Sequence, residues 1–121
     1  MPKFNPFRRS KYRAQRTVID GHTFASKKEA GAYLNFRAMQ ANGQITGLEL
    51  QPRFELLGKF TYRNEKIRAL TYVADFRFTL VETGEVVVVD VKGFRTTEYL
   101  IKRKLFLHNI AIPQGIVFEE Y

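Results

Sequence analysis

The stretch VVVVDVKG, residues 86–93, places four consecutive valines directly before two opposite charges, Asp90 and Lys92. A continuous run of β-branched apolar residues is typical of a strand that is covered on both faces, so we expect residues 85–93 to form a central strand. Side chains alternate between the two faces of a strand. Asp90 and Lys92 are therefore predicted to emerge on the same face, at the end of this strand.

The preceding segment KIRALTYVADFRFTLV, residues 66–81, is predicted to be the neighbouring strand, joined to residues 85–93 by a tight turn near Thr83 and Gly84. A short turn places Asp75 opposite Lys92 and Arg77 opposite Asp90. All four charged side chains then share one face of the sheet. A one-residue bulge would break this arrangement.

Residues 17–57 are predicted to supply a hairpin, a helix and a strand. The dipeptide Asp20-Gly21 within TVIDGHTF (17–24) is a strong hairpin signal. A helix is expected over residues 26–43, with Ser26 as its N-cap and Asn42-Gly43 at its end. Residues 45–57 alternate as a half-buried strand with an edge or bulge at the proline. The apolar face of the helix is predicted to consist of Ala30, Tyr33, Leu34 and Ala38.

The C-terminal part adds a second helix over residues 96–109, capped by Thr96 or Thr97, and a closing strand within residues 113–121. The packing positions expected on this helix are Leu100, Ile101, Leu105 and Leu107 or His108. The order hairpin, α, β, β, β, α, β predicts a mixed central sheet flanked by helices, in the α/β or α+β class.

Composition limits the possible classes of protein. The 121 residues are 45% hydrophobic, enough for one domain with a core. The absence of cysteine excludes disulfides, thiolate metal sites and a cysteine nucleophile. No apolar run approaches the roughly 18 residues that span a bilayer, so we expect a cytoplasmic protein with no membrane partner.

The net charge of +8 is concentrated at the N-terminus, where six basic residues precede the first acid, Asp20. We predict that residues 1–16 are a flexible basic arm and that residues 17–121 are the folded domain. Such arms commonly contact nucleic-acid phosphates, although a solubility tail or a contact with anionic membranes has the same composition. The candidate nucleic-acid-binding residues are Arg8, Arg9, Lys11, Arg13 and Arg16 of the arm, with Lys102 and Lys104 of the second helix.

Two carboxylates and a lysine at a sheet surface cost free energy unless they are paired or used. One interpretation is a structural ion-pair cluster, in which Lys92 and Arg77 neutralise Asp75 and Asp90. The other is a magnesium site, because Mg²⁺ prefers one or two carboxylates together with water and phosphate oxygens. An adjacent lysine would then orient the attacking water and offset negative charge on the phosphate.

The series Asp75, then Asp90-Val91-Lys92, resembles the signature of the PD-(D/E)XK nuclease superfamily, and FASKKEAGAY (24–33) resembles its leading helix, with Glu29 as the matching acid. Ala74 stands in place of the motif's proline, and Asp90 in place of the more frequent glutamate. The similarity covers residues 17–121. Within the superfamily it resembles small phage-encoded proteins of unassigned function, and it is similar in layout to archaeal-type Holliday junction resolvases and to a transposition endonuclease subunit.

This resemblance implies a restriction-endonuclease-like core and a Mg²⁺-dependent endodeoxyribonuclease, in which Mn²⁺ substitutes and no small-molecule cofactor is needed. The catalytic residues it implies are Glu29, Asp75, Asp90 and Lys92. The metal ligands it implies are Asp75, Asp90, Glu29 and the carbonyl of Val91. Glu29 also fits a capping box with Ser26, and the basic residues of the second helix also fit an ordinary solvated face.

Small size favours recognition of DNA shape over a long sequence, and cutting both strands of a junction favours a homodimer. By analogy we expect a phage nuclease that cuts Holliday junctions or other branched DNA. The alternatives are a basic nucleic-acid-binding module without activity, and a nuclease subunit of a larger transposition or packaging complex.

Overall fold

The computed structural model describes residues 16–91 and 95–121. The predicted arm, residues 1–16, lies outside them except for Arg16, and so does Lys92. The chain divides into two packing units, one ending at Ala38 and one running from Met39 to Tyr121. Both contain helix and strand, and the predicted α+β class is confirmed. None of the described helices is both long and apolar enough to cross a membrane.

Ten strands and three α-helices follow one another along the described chain. They are β1 (Thr17–Ile19), β2 (His22–Phe24), α1 (Lys27–Ala41), β3 (Ile45–Leu50), β4 (Arg53–Leu57), β5 (Phe60–Tyr62), β6 (Glu65–Ile67), β7 (Leu70–Val73), β8 (Phe76–Leu80), β9 (Val86–Asp90), α2 (Thr97–Phe106), α3 (Ile112–Gln114) and β10 (Val117–Glu120). A π-helical turn, Leu107–Ala111, joins α2 to α3.

In the first unit, β1 and β2 form the predicted hairpin, with Asp20 (φ 53°) and Gly21 (φ 79°) in the left-handed region at its turn. The Asp20 carboxylate accepts hydrogen bonds from the Tyr33 hydroxyl at 2.7 Å and the Arg37 guanidinium at 2.6 Å. The hydrogen bonds from Tyr33 and then Arg37 lower the pKa of Asp20. These contacts tie the hairpin to α1.

The helix α1 begins as predicted, because the Ser26 hydroxyl accepts a hydrogen bond from the Glu29 N–H at 3.0 Å. Its predicted apolar face is only half right. Ala30 and Tyr33 are buried, together with Phe36, which was not predicted. Leu34 and Ala38 are exposed.

The second unit contains a four-stranded mixed sheet in the order β10-β9-β8-β3. The strand β9 is parallel to β10 and antiparallel to β8, which in turn is antiparallel to β3. Val87, Val88 and Val89 are buried inside this sheet. The prediction that the valine run is a central strand is confirmed.

The two longest predicted strands are each divided, so that prediction was wrong. Residues 45–57 form β3 and β4, and residues 66–81 contain β7 and β8, with β4 and β7 paired in a separate two-stranded sheet. The residues at the two breaks, 51–52 and 74–75, are hydrogen-bonded to each other. The Gln51 N–H donates to the Asp75 carbonyl at 2.9 Å, and the Ala74 N–H donates to the Pro52 carbonyl at 3.1 Å. Gln51 has a φ of 54°, and Pro52 has no N–H to continue the ladder.

The core of the second unit lies between the β4–β7 pair, the central strand and α2. Its buried members are Phe54, Leu56, Tyr72, Ala74, Val88, Tyr99, Phe106 and Ala111. The helix α2 starts at the predicted cap, because the Thr96 hydroxyl accepts from the Tyr99 N–H at 3.0 Å. Its predicted packing face needs correction. Leu100 and Ile101 are exposed, Leu105 and Leu107 pack at the edge of the cluster, and the aromatic residues Tyr99 and Phe106 fill the interior.

Candidate active site

Asp75 and Asp90 meet at one end of the β8–β9 pair. The Asp75 N–H donates to the Val89 carbonyl at 3.0 Å, and the Asp75 carboxylate accepts from the Val91 N–H at 2.6 Å. These two bonds bracket Asp90, which is the last residue of β9. The structure therefore brings the two predicted acids together.

The predicted pairing across this hairpin was wrong by two residues. The ladder pairs Phe76 with Val89 and Arg77 with Val88, and the loop closes where the Leu80 N–H donates to the Glu85 carbonyl at 2.8 Å. As a result Asp75 lies opposite Asp90, and its predicted partner, Lys92, falls outside the described residues. Arg77 does not face Asp90, and its nearest carboxylate in a described ion pair is that of Glu49, at 4.0 Å.

The Asp90 carboxylate is oriented by a hydrogen bond from a tyrosine. Asp90 is 1% exposed, and its carboxylate accepts a hydrogen bond from the Tyr72 hydroxyl of β7. Burial, followed by this hydrogen bond, raises the pKa of Tyr72 well above its ordinary value. The hydroxyl therefore stays protonated and fixes the orientation of the Asp90 carboxylate. Sequence reasoning missed Tyr72, because its position in an alternating strand predicts only a core residue.

A third acid, Glu120, lies next to Asp90 on β10. The parallel ladder pairs the two residues, and the Tyr121 N–H donates to the Asp90 carbonyl at 3.0 Å. The Glu120 carboxylate accepts from the Tyr99 hydroxyl and forms ion pairs with Arg95 at 3.1 Å and Arg103 at 3.2 Å. The sequence analysis did not single it out.

The environment of Glu120 keeps it ionised. Burial by itself would raise its pKa, but the hydrogen bond from Tyr99 and the charges of Arg103 and Arg95 together outweigh burial, and the pKa is lowered. Its negative charge is already balanced by two guanidinium groups. Glu120 thus anchors α2 and the segment before it to the sheet, beside the two predicted acids.

The two carboxylates supply hard oxygen donors of the kind that Mg²⁺ prefers. Asp75 is only half-buried, so solvent and ligands reach this end of the strand pair. In metal sites, the carboxylate ligands are commonly oriented by hydrogen bonds from residues that do not touch the metal. The Tyr72 hydroxyl makes a hydrogen bond of this kind to the Asp90 carboxylate. Within residues 16–91 and 95–121, no group of three or more His, Asp or Glu side chains has metal-ligand spacing. The available donors are two carboxylates and the neighbouring Val91 carbonyl, and this set fits a magnesium ion that keeps several waters.

A polar cleft of about 280 Å³ lies next to Tyr72, and neither Asp75 nor Asp90 is among its lining residues. Tyr72, which bonds to Asp90, forms part of its wall together with Tyr99 and Lys102. The Lys102 ammonium lies 3.1 Å from the Glu98 carboxylate one helical turn away. Of the two predicted helix lysines, Lys102 lines the cleft. Lys104 is exposed and is not among the lining residues.

The remaining predicted site residues are either in the first unit, exposed, or outside the described part of the chain. Glu29 belongs to the first unit and is half-buried in the first turn of α1. Its N–H donates to the Ser26 hydroxyl, which is one of the two hydrogen bonds of a capping box. Arg16 is exposed. The predicted residues that fall outside the described part of the chain are Lys92, Arg8, Arg9, Lys11 and Arg13.

Comparison with known proteins gives a family. The family described as "Protein of unknown function (DUF1064)" matches residues 9–114. The chain belongs to this family. The matched range includes Glu29, Asp75, Asp90, Lys92 and all of α2, and it ends before β10. No curated protein and no solved structure matches the chain.

Proposed function

We propose that this member of DUF1064 is a metal-dependent endodeoxyribonuclease, with its reaction centre at the shared end of β8 and β9. One observation carries the proposal. The main chain and side chain of Asp75 bond to Val89 and Val91, on either side of Asp90. Two carboxylates on adjacent strands can hold a metal ion that assists phosphodiester hydrolysis, and the lysine two residues after Asp90 adds a positive charge in the sequence next to them.

Asp75 and Asp90 would hold Mg²⁺ or Mn²⁺, with the Val91 carbonyl as a further candidate ligand. The ion would lower the pKa of its bound water and place a positive charge next to the scissile phosphate. Tyr72 keeps the Asp90 carboxylate in one orientation. Lys92 would orient the attacking water and balance charge that develops on the phosphate oxygens. The resemblance to PD-(D/E)XK nucleases implies a 5′-phosphate and a 3′-hydroxyl as products.

The proposed substrate is DNA in a branched form, such as a Holliday junction, and the proposed active species is a homodimer in the cytoplasm. Lys102 is the proposed phosphate contact on α2, because it lines the cleft next to Tyr72; its ion pair with Glu98 would open when a phosphate binds. Lys104 and the basic arm would add contacts that depend on charge alone, and such contacts weaken as salt rises. The preference for branched DNA is by analogy with proteins of similar size and layout.

A second function has an observation in its favour. Asp90 is 1% exposed and accepts a hydrogen bond from a buried tyrosine, and a purely structural carboxylate has the same surroundings. In that case the protein would bind DNA without cutting it, and Mg²⁺ would not matter. A nuclease subunit of a larger complex is the third possibility, and it would show little activity alone.

Incubation of the purified chain with end-labelled junction, flap, duplex and single-stranded DNA separates these functions. We expect cleavage when Mg²⁺ is present in excess over the protein, and none in EDTA. Ligation of the products tests for the 5′-phosphate and 3′-hydroxyl. Equal cleavage of linear duplex and junction would remove only the preference for branches. Binding to every substrate without cleavage in Mg²⁺ or Mn²⁺ would contradict the proposal for the chain acting alone.

A further inference from the structure

The strands β5 and β6 form a two-stranded sheet of their own, and neither pairs with another strand of the described chain. Phe60 pairs with Ile67, Thr61 with Lys66, and Tyr62 with Glu65. Arg63, at the turn, has a φ of 55°. All residues from Leu57 to Lys66 are exposed, and Ile67 is half-buried. The hairpin, residues 59–68, is therefore a two-stranded ribbon open to solvent.

The ribbon has two chemically different faces. Side chains alternate along a strand, so Thr61 and Lys66 share one face, and the flanking Lys59 and Arg68 extend it. Among the described residues, none of the cations Lys59, Lys66 and Arg68 takes part in an ion pair. This cationic face therefore keeps its charge for a partner.

The opposite face is aromatic. Phe60 is 47% exposed and Tyr62 is 61% exposed, and the Arg63 guanidinium carbon lies 5.8 Å from the centre of the Tyr62 ring. Glu65 is the acid that shares this face. Flat rings that stand exposed on a cationic ribbon match the two features of nucleic acids, which are stacked bases and a phosphate backbone.

Charge decides which partner the ribbon fits. Residues 59–68 hold four basic residues and one acid, so the segment carries a net charge of +3. A two-stranded ribbon is also narrow enough to enter a DNA groove. An apolar protein surface or a second copy of this basic chain would not use such a charge.

We propose that the β5–β6 hairpin is a DNA-binding element. Its cationic face contacts backbone phosphates, and Tyr62 with Phe60 stacks on unpaired bases. The choice of DNA as the nucleic acid rests on the proposed nuclease function, but binding by the hairpin needs neither the metal nor the two acids. This element would give the protein a preference for DNA with unpaired bases over a continuous duplex.

The contribution of the cationic face is measured as the salt dependence of DNA affinity in EDTA, by fluorescence anisotropy on a labelled duplex. For the double variant Lys59→Ala/Lys66→Ala, we expect the slope of log affinity against log salt to fall by about 2, one for each lost phosphate contact. The matched control, Lys27→Ala/Lys28→Ala, removes the same charge from α1 and should leave the slope unchanged. Equal slopes for both variants and the wild type would overturn the proposal.

The aromatic face is tested with single-stranded oligonucleotides. We expect Tyr62→Ala to weaken their binding by roughly 5- to 100-fold, the range of one lost base stack, with little change for duplex. Tyr62→Phe should bind as the wild type, because it keeps the ring. Val81→Ala, which truncates another exposed apolar side chain (56%), should also have no effect. Unchanged affinity for Tyr62→Ala would overturn the stacking role. So would an effect of Tyr62→Ala on the oligomeric state without any effect on DNA affinity.

Circular dichroism and melting temperature establish that each variant is folded. All binding is measured in EDTA, where no cleavage is expected. The nuclease proposal and the hairpin proposal can therefore be contradicted independently of each other. Weakened binding by the hairpin variants, with an inert wild type in Mg²⁺, overturns only the nuclease. Cleavage by the wild type, with hairpin variants that bind and cut normally, overturns only the hairpin.

Discussion

Asp90→Asn is expected to reduce the rate of DNA cleavage by at least about 10³-fold, or ~4 kcal/mol of transition-state stabilisation. Asparagine has nearly the same shape as aspartate, and its amide oxygen can still accept the hydrogen bond from Tyr72. The substitution therefore preserves the packing around β9 but removes the negative charge that a divalent cation needs. Single-turnover cleavage of junction DNA, with enzyme in excess, measures this loss directly.

The matched control for this prediction is Glu119→Gln. Glu119 is an exposed acid on β10, paired with Val89, and lies one residue from the Asp90 partner Glu120. We expect it to cleave at the wild-type rate. DNA affinity in EDTA should stay within about 2-fold of the wild type for both variants, because neither residue is a cation that contacts phosphate. If Asp90→Asn cleaves as fast as Glu119→Gln, Asp90 is a structural residue and the proposed site is wrong.

Phe106→Ala is expected to lower the free energy of unfolding by about 3–5 kcal/mol, the usual range for a fully buried phenylalanine. Phe106 is 0% exposed. Its ring centre lies 4.8 Å from that of Phe54, 5.3 Å from that of Tyr72 and 5.4 Å from that of Phe118. Its removal leaves a cavity between α2, the β4–β7 pair and β10. Urea unfolding followed by circular dichroism measures the change.

Leu100→Ala on the same helix is the control, and we expect it to cost less than about 1 kcal/mol because Leu100 is 45% exposed. Similar losses for the two variants would contradict the described packing of α2. The same cavity borders Tyr72, so the core and the candidate site are linked through one side chain. Residual folded Phe106→Ala protein should therefore also cleave more slowly than Leu100→Ala protein.

Local signals predicted much of the fold, because they depend on residues that are close in sequence. Asp20-Gly21 forms the expected turn, Ser26 and Thr96 cap the expected helices, and the valine run is central in its sheet. Pro52 indicated an irregularity in the first long strand, but the complete division of both long strands was not predicted. Alternation of apolar residues continues through Tyr72, Ala74 and Phe76, so the pattern is the same with or without a bend.

The pairing of β8 with β9 failed for a similar reason. A shift by two residues keeps every side chain on its original face, so the hydrophobic pattern does not distinguish the two pairings. Only the length of the loop differs, and the segment Val81–Gly84 fits a short or a longer turn equally well. The predicted convergence of Asp75 and Asp90 survived because both pairings leave the acids at the same end of the strands.

The contacts of the site were less accessible from sequence than its two acids. The motif places Asp75 and Asp90 on neighbouring strands, which requires only a strand, a turn and a strand. Tyr72 lies next to Asp90 from β7 and Glu120 from β10, and these strands come close only once the long strands divide and β10 pairs in parallel with β9. No local pattern marks such partners.

Titration of the wild-type protein with Mn²⁺ in the absence of DNA, followed by electron paramagnetic resonance of the free ion, tests the joint metal site most directly. We expect saturable binding by the wild type and by Glu119→Gln, and its loss in both Asp75→Asn and Asp90→Asn. Loss in both variants is the essential result, because it requires the two acids to act on the same ion. Saturable binding that survives either substitution would contradict a site built by Asp75 and Asp90 together.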